Sequence, residues 1–368
     1  MAMVDFLSRK TFSIDGVTIG AGQRCYVIAE MSGNHDGDLN EAINIIRAAK
    51  ASGADAVKLQ TYRADTITLN SMKEDFRLPV TSSWGEYETL YSLYEKASTP
   101  WEWHAELFDE ARRSGITIFS SPFDLSAVEL LEELDAPAYK IASPEISDIP
   151  LIRRVAQTAK PVILSTGLAD LDDITLAVDT LRQNGCEDFA ILRCTTAYPA
   201  PVSETNLALL PDMAKRFDCV VGLSDHSIGQ VVPLAAVHHG AKILEKHFVL
   251  NRSGSVDGFF SMDQQEFRDL IENLEATQAA IGGIDYSITP TANNNKYARR
   301  SLYVADDVKK GELITEENIR SVRPGFGLHP KYYEEVLGKT FARNRTLGDR
   351  LLAEDVDGFD LDVSDFTS

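Results

Sequence analysis

The chain has 368 residues, 44% of them apolar and 25% charged, the balance of a globular protein rather than a disordered one. Its 36 basic and 56 acidic side chains leave a net charge of −20, a surface that repels phosphate backbones and anionic lipid, so neither nucleic acid nor a membrane is an expected partner. An anionic substrate therefore needs a locally basic pocket inside an acidic shell. No apolar run approaches the ~18 residues of a membrane span. The first residues (MAMVDFLSRKTF) lack the long apolar core of a signal peptide. Cys25, Cys186, Cys194 and Cys219 form no CxxC pair. Reduced thiols and a cytoplasmic location are the expectation.

In chain order, residues 1–24 come first. Within them, 11–20 (TFSIDGVTIG) alternate around Asp15-Gly16, a hairpin signal expected to cap the bottom of the next unit. From 25 to 281, β-branched runs at 25–30, 55–61, 116–120, 138–142, 161–165, 188–194, 219–223 and 242–248 alternate with helical patterns at 40–52, 102–114, 124–133, 148–158, 170–183, 229–239 and 263–280. Strands separated by helix-length segments imply βαβ units and a parallel sheet. Eight such units in about 260 residues predict an α/β fold of the (β/α)8 barrel type. The rival, an open doubly wound sheet, more typically carries a GxGxxG turn, which is absent.

Residues 63–100 interrupt the repeat after the second strand, with Phe76, Trp84, Tyr87, Tyr91 and Tyr94. A loop that long at the catalytic face of a barrel is expected to carry function. Residues 282–297 (GGIDYSITPTANNNKY) read as a linker. The span 298–357 is predicted to be a small β-rich unit with a faint repeat, since Gly311, Ile314, Asn318 and Ile319 share their spacing with Gly348, Leu351, Asp355 and Val356. From Ala353 onward the chain carries six acidic and no basic side chains. This stretch, Ala353 to Ser368, is expected to be solvated or frayed, its end, 358–368, forming an acidic tail.

In a barrel of this kind, side chains at the C-terminal strand ends converge on one mouth. Topology alone selects Glu30, Lys58, Gln60, Ser120, Ser121, Lys140, Ser143, Ser165, Thr195, Tyr198, Ser224, Asp225, His226, Glu245 and His247. That set is too polar for a core, because buried charges are costly unless they pair or meet a ligand. His226 and His247 follow adjacent strands, and two imidazoles completed by substrate and water oxygens suit a divalent ion such as Mn²⁺, Zn²⁺ or Co²⁺. The alternative is a pair of hydrogen-bonded core histidines. Lys58 and Lys140 are either cations gripping an anion or a Schiff-base nucleophile. Hydroxyls of Ser121, Ser143, Ser165 and Ser224 around them favour an anion cradle, and hence a phosphorylated carboxylate substrate. Glu30 offers a general acid or base, or a salt bridge to Lys58.

The segments IAEMSGNH (28–35), VKLQTY (57–62), FSSPF (119–123), YKIASPE (139–145), LSTGLA (164–169), GLSDHS (222–227), EKHF (245–248) and VRPGFG (322–327) resemble those of the sialic acid synthase family over about residues 11–357. The resemblance implies a (β/α)8 barrel joined to a small antifreeze-like (SAF) domain. It also implies condensation of phosphoenolpyruvate with an acetamido sugar and release of phosphate. It places Lys140, Ser143, Ser165 and Ser224 on the phosphate and Lys58 and Ser121 on the carboxylate. Glu30 handles protons, His226 and His247 hold Mn²⁺ or Mg²⁺, and Gln60, Tyr198 and Asp257 face the sugar. A domain-swapped homodimer in which Arg323 of one chain reaches the other's sugar site is implied too. Segments 90–104 and 323–339 are most similar to the pseudaminate-forming branch, whereas Gly258 stands where that branch often has Ser.

Overall fold

The structure, a computed structural model, describes residues 10–361. They belong to two compact units that divide after Gly282. In the first, β1 (Thr11–Ile14) and β2 (Val17–Gly20) form the expected hairpin around Asp15-Gly16, both with positive φ. Eight parallel strands follow: β3 (Tyr26–Glu30), β4 (Ala56–Thr61), β5 (Thr117–Pro122), β6 (Tyr139–Ile141), β7 (Val162–Ser165), β8 (Phe189–Cys194), β9 (Val220–Asp225) and β10 (Ile243–His247). They pair in sequence order, and β10 closes on β3, so the sheet is a barrel rather than an open doubly wound sheet.

The strands are buried on both faces, as a parallel barrel under a helical ring requires. The inner layer holds Tyr26, Ile28, Phe119, Ile163, Val220 and Ile243, and the hairpin inserts Phe12, Ile14 and Ile19 among them. Asp15 accepts the Thr117 hydroxyl at 3.0 Å, so the hairpin caps the bottom of the barrel as expected. Five helices start on an aspartate (Asp38, Asp124, Asp148, Asp170 and Asp263) whose side chain accepts first-turn N–H groups. Part of the acidic excess is therefore helix capping, reinforced by the dipole.

Two strands run further than the sequence suggests. Ser121 and Ser224 lie inside β5 and β9 rather than beyond them, because pairing of Gln60 with Ser121 and of Glu245 with Ser224 extends the ladder. The 63–100 segment holds helices Ala64–Ile67 and Leu90–Ala97. It is fastened to the rest of the barrel by Trp84 Nε1 donating to the Val256 carbonyl (3.0 Å), Ser83 Oγ to the Tyr198 carbonyl (3.0 Å) and a Lys96–Asp36 ion pair (2.7 Å).

The second unit pairs β11 (Ser301–Val304) with β12 (Ile319–Val322) over a core of Leu302, Val304, Ile314, Ile319, Phe341, Leu351 and Val356. Its repeat is visible in the bonding. Asn318 Oδ1 accepts the Thr315 N–H and Asp355 Oδ2 the Leu352 N–H, while Gly311 and Gly348 both take positive φ. The expectation of a solvated segment fails here. Asp355 is fully buried and accepts the Arg345 guanidinium, and Phe359 packs on Tyr332 at 5.3 Å, because these residues close the second copy of the repeat. The remainder of the proposed tail, 362–368, lies outside the described residues, as do 1–9 of the N-terminal cap. Among the described residues no helix is long and apolar enough to cross a membrane.

Candidate functional site

A cavity of about 500 Å³ opens at the C-terminal ends of the barrel strands. Strand alternation builds its floor: Glu30 and Lys58, then Gln60, and likewise Glu245 and His247 or Ser224 and His226, point inward while the residues between them point out. The cavity gathers Glu30, Lys58, Gln60, Lys140, Ser143, Ser165, Tyr198, Ser224, His226, His247 and Asp257 from the residues the sequence singled out. Two expected members stand apart. Ser121 is fully buried and does not line the cavity; its Oγ accepts from Lys58 Nζ at 3.1 Å and so helps hold the ammonium. Arg323 belongs to the second unit, where it is exposed and has no hydrogen bond or ion pair among the described residues. Of the other strand-end residues, Thr195 contributes only its carbonyl, and Ser120 bonds Thr61 at 2.6 Å on the outer side.

Electrostatics at the floor centre on Glu245, a strand-end residue to which the sequence assigned no role. Lys140 Nζ donates to both of its oxygens, at 3.0 and 2.8 Å, and Lys58 Nζ lies 3.7 Å away. Burial opposes its charge, but the two ammonium groups outweigh burial and hold the carboxyl down at about 2. Lys58 also pairs with Glu30 at 2.6 Å. Desolvation favours its neutral form, yet Glu245 and Glu30 raise it above the ordinary lysine value. Burial pushes the Glu30 carboxyl up despite Lys58, while Gln60 Nε2 donates to its other oxygen at 2.9 Å. The floor is thus two cations and two carboxylates locked together with no net charge to spare.

Five buried polar atoms lining this cavity have no hydrogen-bond partner among the described residues: Ser165 Oγ, Thr196 Oγ1, Glu145 Oε2, and, apart from their ion-pair contacts with Lys58 and Asp257, Glu30 Oε2 and His247 Nδ1. Buried polar groups are ordinarily paired, so such a cluster marks a place where a polar ligand supplies the partners. Gly167 brings backbone to the same spot. Its N–H donates to Ser143 Oγ at 2.9 Å, and a Cβ there would fall 2.1 Å from Thr196 Oγ1. Glu145 was named only within its motif; burial raises its carboxyl to about 7. Cys194 lies at the end of β8, with Sγ 3.9 Å from His226 Nδ1. Burial pushes the thiol up, but His226 and Lys140 more than offset this and bring it to about 7.

The imidazoles meet as their adjacent strands require, with ring centroids 5.4 Å apart. His226 Nδ1 lies 3.0 Å from the Thr195 carbonyl; the proton belongs there, which in the neutral ring leaves Nε2 as a free donor of a lone pair. Burial works against its charge, yet Cys194 and the Thr195 carbonyl raise His226 above the ordinary histidine value, so an ion would have to displace its Nε2 proton; burial and the charges of His226 and Lys58 hold His247 well below that value. Two neutral-capable imidazoles fit a divalent ion whose remaining positions are filled by substrate and water oxygens. Among the described residues no group of three or more His, Cys, Asp or Glu is placed to hold an ion unaided. Tyr198 lies over His226 at 4.4 Å, and Asp257 accepts Ser32 Oγ at 2.5 Å while approaching His247 Nδ1 at 3.5 Å. The other two buried histidines, His35 and His104, bond Thr99 and Thr61 and anchor the end of the 63–100 segment rather than the cavity.

That segment adds a mostly apolar lining, Ile67, Leu78, Leu90 and Leu93 with Trp84 and Tyr94, and one hydroxyl residue, Ser82. Trp84 stands edge-on to Tyr198 and Phe259. No local pattern assigns Ile67 or Leu78 to a site, since their contact with the floor depends on how the insertion folds back. Gly258, noted as a departure, sits where a Cβ would lie 2.4 Å from the Arg252 carbonyl, so this turn has no room for a side chain.

Residues 45–286 match the model of the NeuB family, and residues 299–357 match that of the SAF domain. The pseudaminic acid synthase of Campylobacter jejuni is 42% identical over 90% of this chain and 97% of its own length. That of Helicobacter pylori is 44% identical, with the same coverage. Among solved structures, the N-acetylneuraminic acid synthetase of Leptospira borgpetersenii, in complex with citrate, matches with a TM-score of 0.69 at 27% identity, covering 78% of this chain and 95% of that one.

Proposed function

Because this chain belongs to the NeuB family, the sialic acid synthases, we propose that it condenses phosphoenolpyruvate with a 2,4-diacetamido-2,4,6-trideoxy hexose of the altrose type and water, giving pseudaminic acid and phosphate. The observation that carries this reading is the division of the cavity. The strand ends supply its cations, hydroxyls and imidazoles, and the 63–100 segment supplies Ile67, Leu78, Leu90 and Leu93. A reacting aldehyde belongs among the polar groups, so the far end of a six-carbon chain meets the apolar wall. A 6-methyl group suits that wall, whereas a 6-hydroxyl buried there without a partner would cost roughly 1–3 kcal/mol. The similarity to relatives named pseudaminic acid synthase supports the same choice over N-acetylneuraminate or legionaminate.

Lys58, seated on Ser121, would grip the carboxylate of phosphoenolpyruvate. Lys140, with Ser143, Ser165 and Ser224, would hold the phosphate. As phosphoenolpyruvate enters, its carboxylate and phosphate would compete with Glu30 and Glu245 for the two ammonium groups. The enol carbon then attacks the aldehyde carbon, forming the new C–C bond. Water adds to C2 of the former enol, and the tetrahedral intermediate expels phosphate by C–O cleavage. Glu30, its carboxyl raised by burial, is positioned to take and return the proton, and the cradle stabilises the departing phosphate. A divalent ion held by His226 and His247 (Mn²⁺, with Mg²⁺ or Co²⁺ as substitutes) would supply Lewis-acid polarisation of the sugar's carbonyl oxygen. A Schiff-base mechanism needs a neutral Lys140; burial and Lys58 lower its pKa in that direction, while the bidentate grip of Glu245 favours the ammonium.

Phosphate release measured with each candidate sugar tests the proposal. The trideoxy diacetamido hexose should be turned over at least tenfold more efficiently than N-acetylmannosamine, and the reverse order would overturn it. We extend the reading to a homodimer in which Arg323 of one chain completes the sugar site of the other. Arg323 is exposed and unengaged in its own unit, beside Pro324 and Gly325. Mixing the inactive variants Arg323→Ala and Lys140→Met under conditions of subunit exchange should restore activity through one intact site. Exchange without recovery would show that Arg323 does not act across chains.

A further inference from the structure

We infer that the buried pair Lys246–Asp225 is a positioning clamp that sets the placement of the two imidazoles, and with it the site's affinity for a divalent ion. Lys246 and Asp225 are the residues immediately before His247 and His226. By strand alternation they project away from the cavity, and neither lines it. They stand side by side in the ladder between β9 and β10. Lys246 Nζ lies 2.6 Å from Asp225 Oδ2 and 2.6 Å from the Ser227 carbonyl, while Asp225 Oδ1 accepts the Ser227 N–H at 3.0 Å. Both side chains are 1% exposed. These bonds tie the residue before His247 to the residues on either side of His226. The peptide carrying one imidazole is thereby stapled to the strand carrying the other.

Stability alone is a weak reason for such a pair. Desolvating two charges costs about as much as their attraction returns, and apolar side chains of the same volume often do as well. What a packed apolar pair does not supply is direction. Three short charge-assisted bonds fix the turn after β9, and β10 beside it, to within fractions of an ångström, the tolerance a metal site needs. The Thr195 carbonyl completes the arrangement by fixing the ring of His226 at Nδ1. Outer groups that orient metal ligands typically carry 10–100-fold of metal affinity.

The inference rests on the reading of His226 and His247 as ion ligands. Its test is the Mn²⁺ dissociation constant of the full chain, from free Mn²⁺ by electron paramagnetic resonance, alongside circular dichroism and the melting temperature. Asp225→Asn with Lys246→Met removes both charges and keeps an acceptor for the Ser227 N–H. It should bind Mn²⁺ 10–100-fold more weakly, with the Michaelis constant for phosphoenolpyruvate at saturating Mn²⁺ changed less than threefold. Lys246→Arg keeps the charge and displaces its geometry, so a folded protein with several-fold weaker Mn²⁺ binding is expected even if the double variant fails to fold. Folded variants of lower melting temperature but unchanged Mn²⁺ affinity would reduce the pair to a structural one and overturn the clamp. If the unaltered protein binds no Mn²⁺, the reading of the two histidines fails first.

Discussion

Replacing His247 with alanine is expected to abolish phosphate release from phosphoenolpyruvate, with at least a 100-fold loss, while the barrel stays folded. The protein supplies two imidazoles to the proposed ion, so deleting one leaves a single ligand, and the effect should exceed the 10–100-fold typical of outer groups. Structural damage should be small. His247 is buried and neutral, its Nδ1 already lacks a hydrogen bond, and no buried charge is orphaned by its removal. His226→Ala should be equally inactive but less stable, since it also removes the ring on which Tyr198 lies and the bond to Thr195. Excess EDTA should reproduce the catalytic loss in the unaltered protein, reversed by Mn²⁺. Full turnover in EDTA, or in His247→Ala, would mean that the imidazoles serve another purpose.

What could be read from residues alone divides along physical lines. The eight strands and the hairpin are local signals, runs and alternations within ten residues, and they reappear within one or two positions. The placement of Glu30, Lys58, Lys140, His226 and His247 follows from one topological rule, that strand ends share a mouth, so it too was legible. The Lys140–Glu245 pair was not, because it joins β6 to β10 across the barrel and no spacing along the chain encodes it. Ser121 is held within the sheet rather than in a loop because the ladder with β4 continues past the expected end of β5. Asp355 looked like part of an acidic run, yet its burial depends on Arg345 returning from the neighbouring turn of the repeat. The wall of Ile67, Leu78, Leu90 and Leu93 is tertiary in the same sense. Its residues join a site only after the 63–100 segment is fastened by Trp84, Ser83 and Lys96.

The web of charges at the floor leads to the other large effect. Lys140→Met should raise the Michaelis constant for phosphoenolpyruvate by one to two decades, since a charge-assisted contact to an anion contributes roughly 1.5–3 kcal/mol. It should also destabilise the protein, which loss of a substrate contact alone does not do. Glu245 would lose both bonds to Lys140 and keep Ser224 Oγ at 3.3 Å and Lys58 at 3.7 Å, leaving a buried carboxylate short of compensating charge. Breaking one side of a buried ion pair costs about 3–5 kcal/mol. In a chain of this size, about 2–4 °C of melting temperature accompanies each kcal/mol. The two effects separate in a double variant. Lys140→Met with Glu245→Gln removes the stranded charge, so most of the melting temperature should return. The Michaelis constant for phosphoenolpyruvate should stay high, because the cation that meets the phosphate is still missing. Thermal unfolding and phosphate-release kinetics on the three proteins check both halves. Recovery of phosphoenolpyruvate affinity together with stability would show that Lys140 acts only by neutralising Glu245, and that the phosphate is held elsewhere.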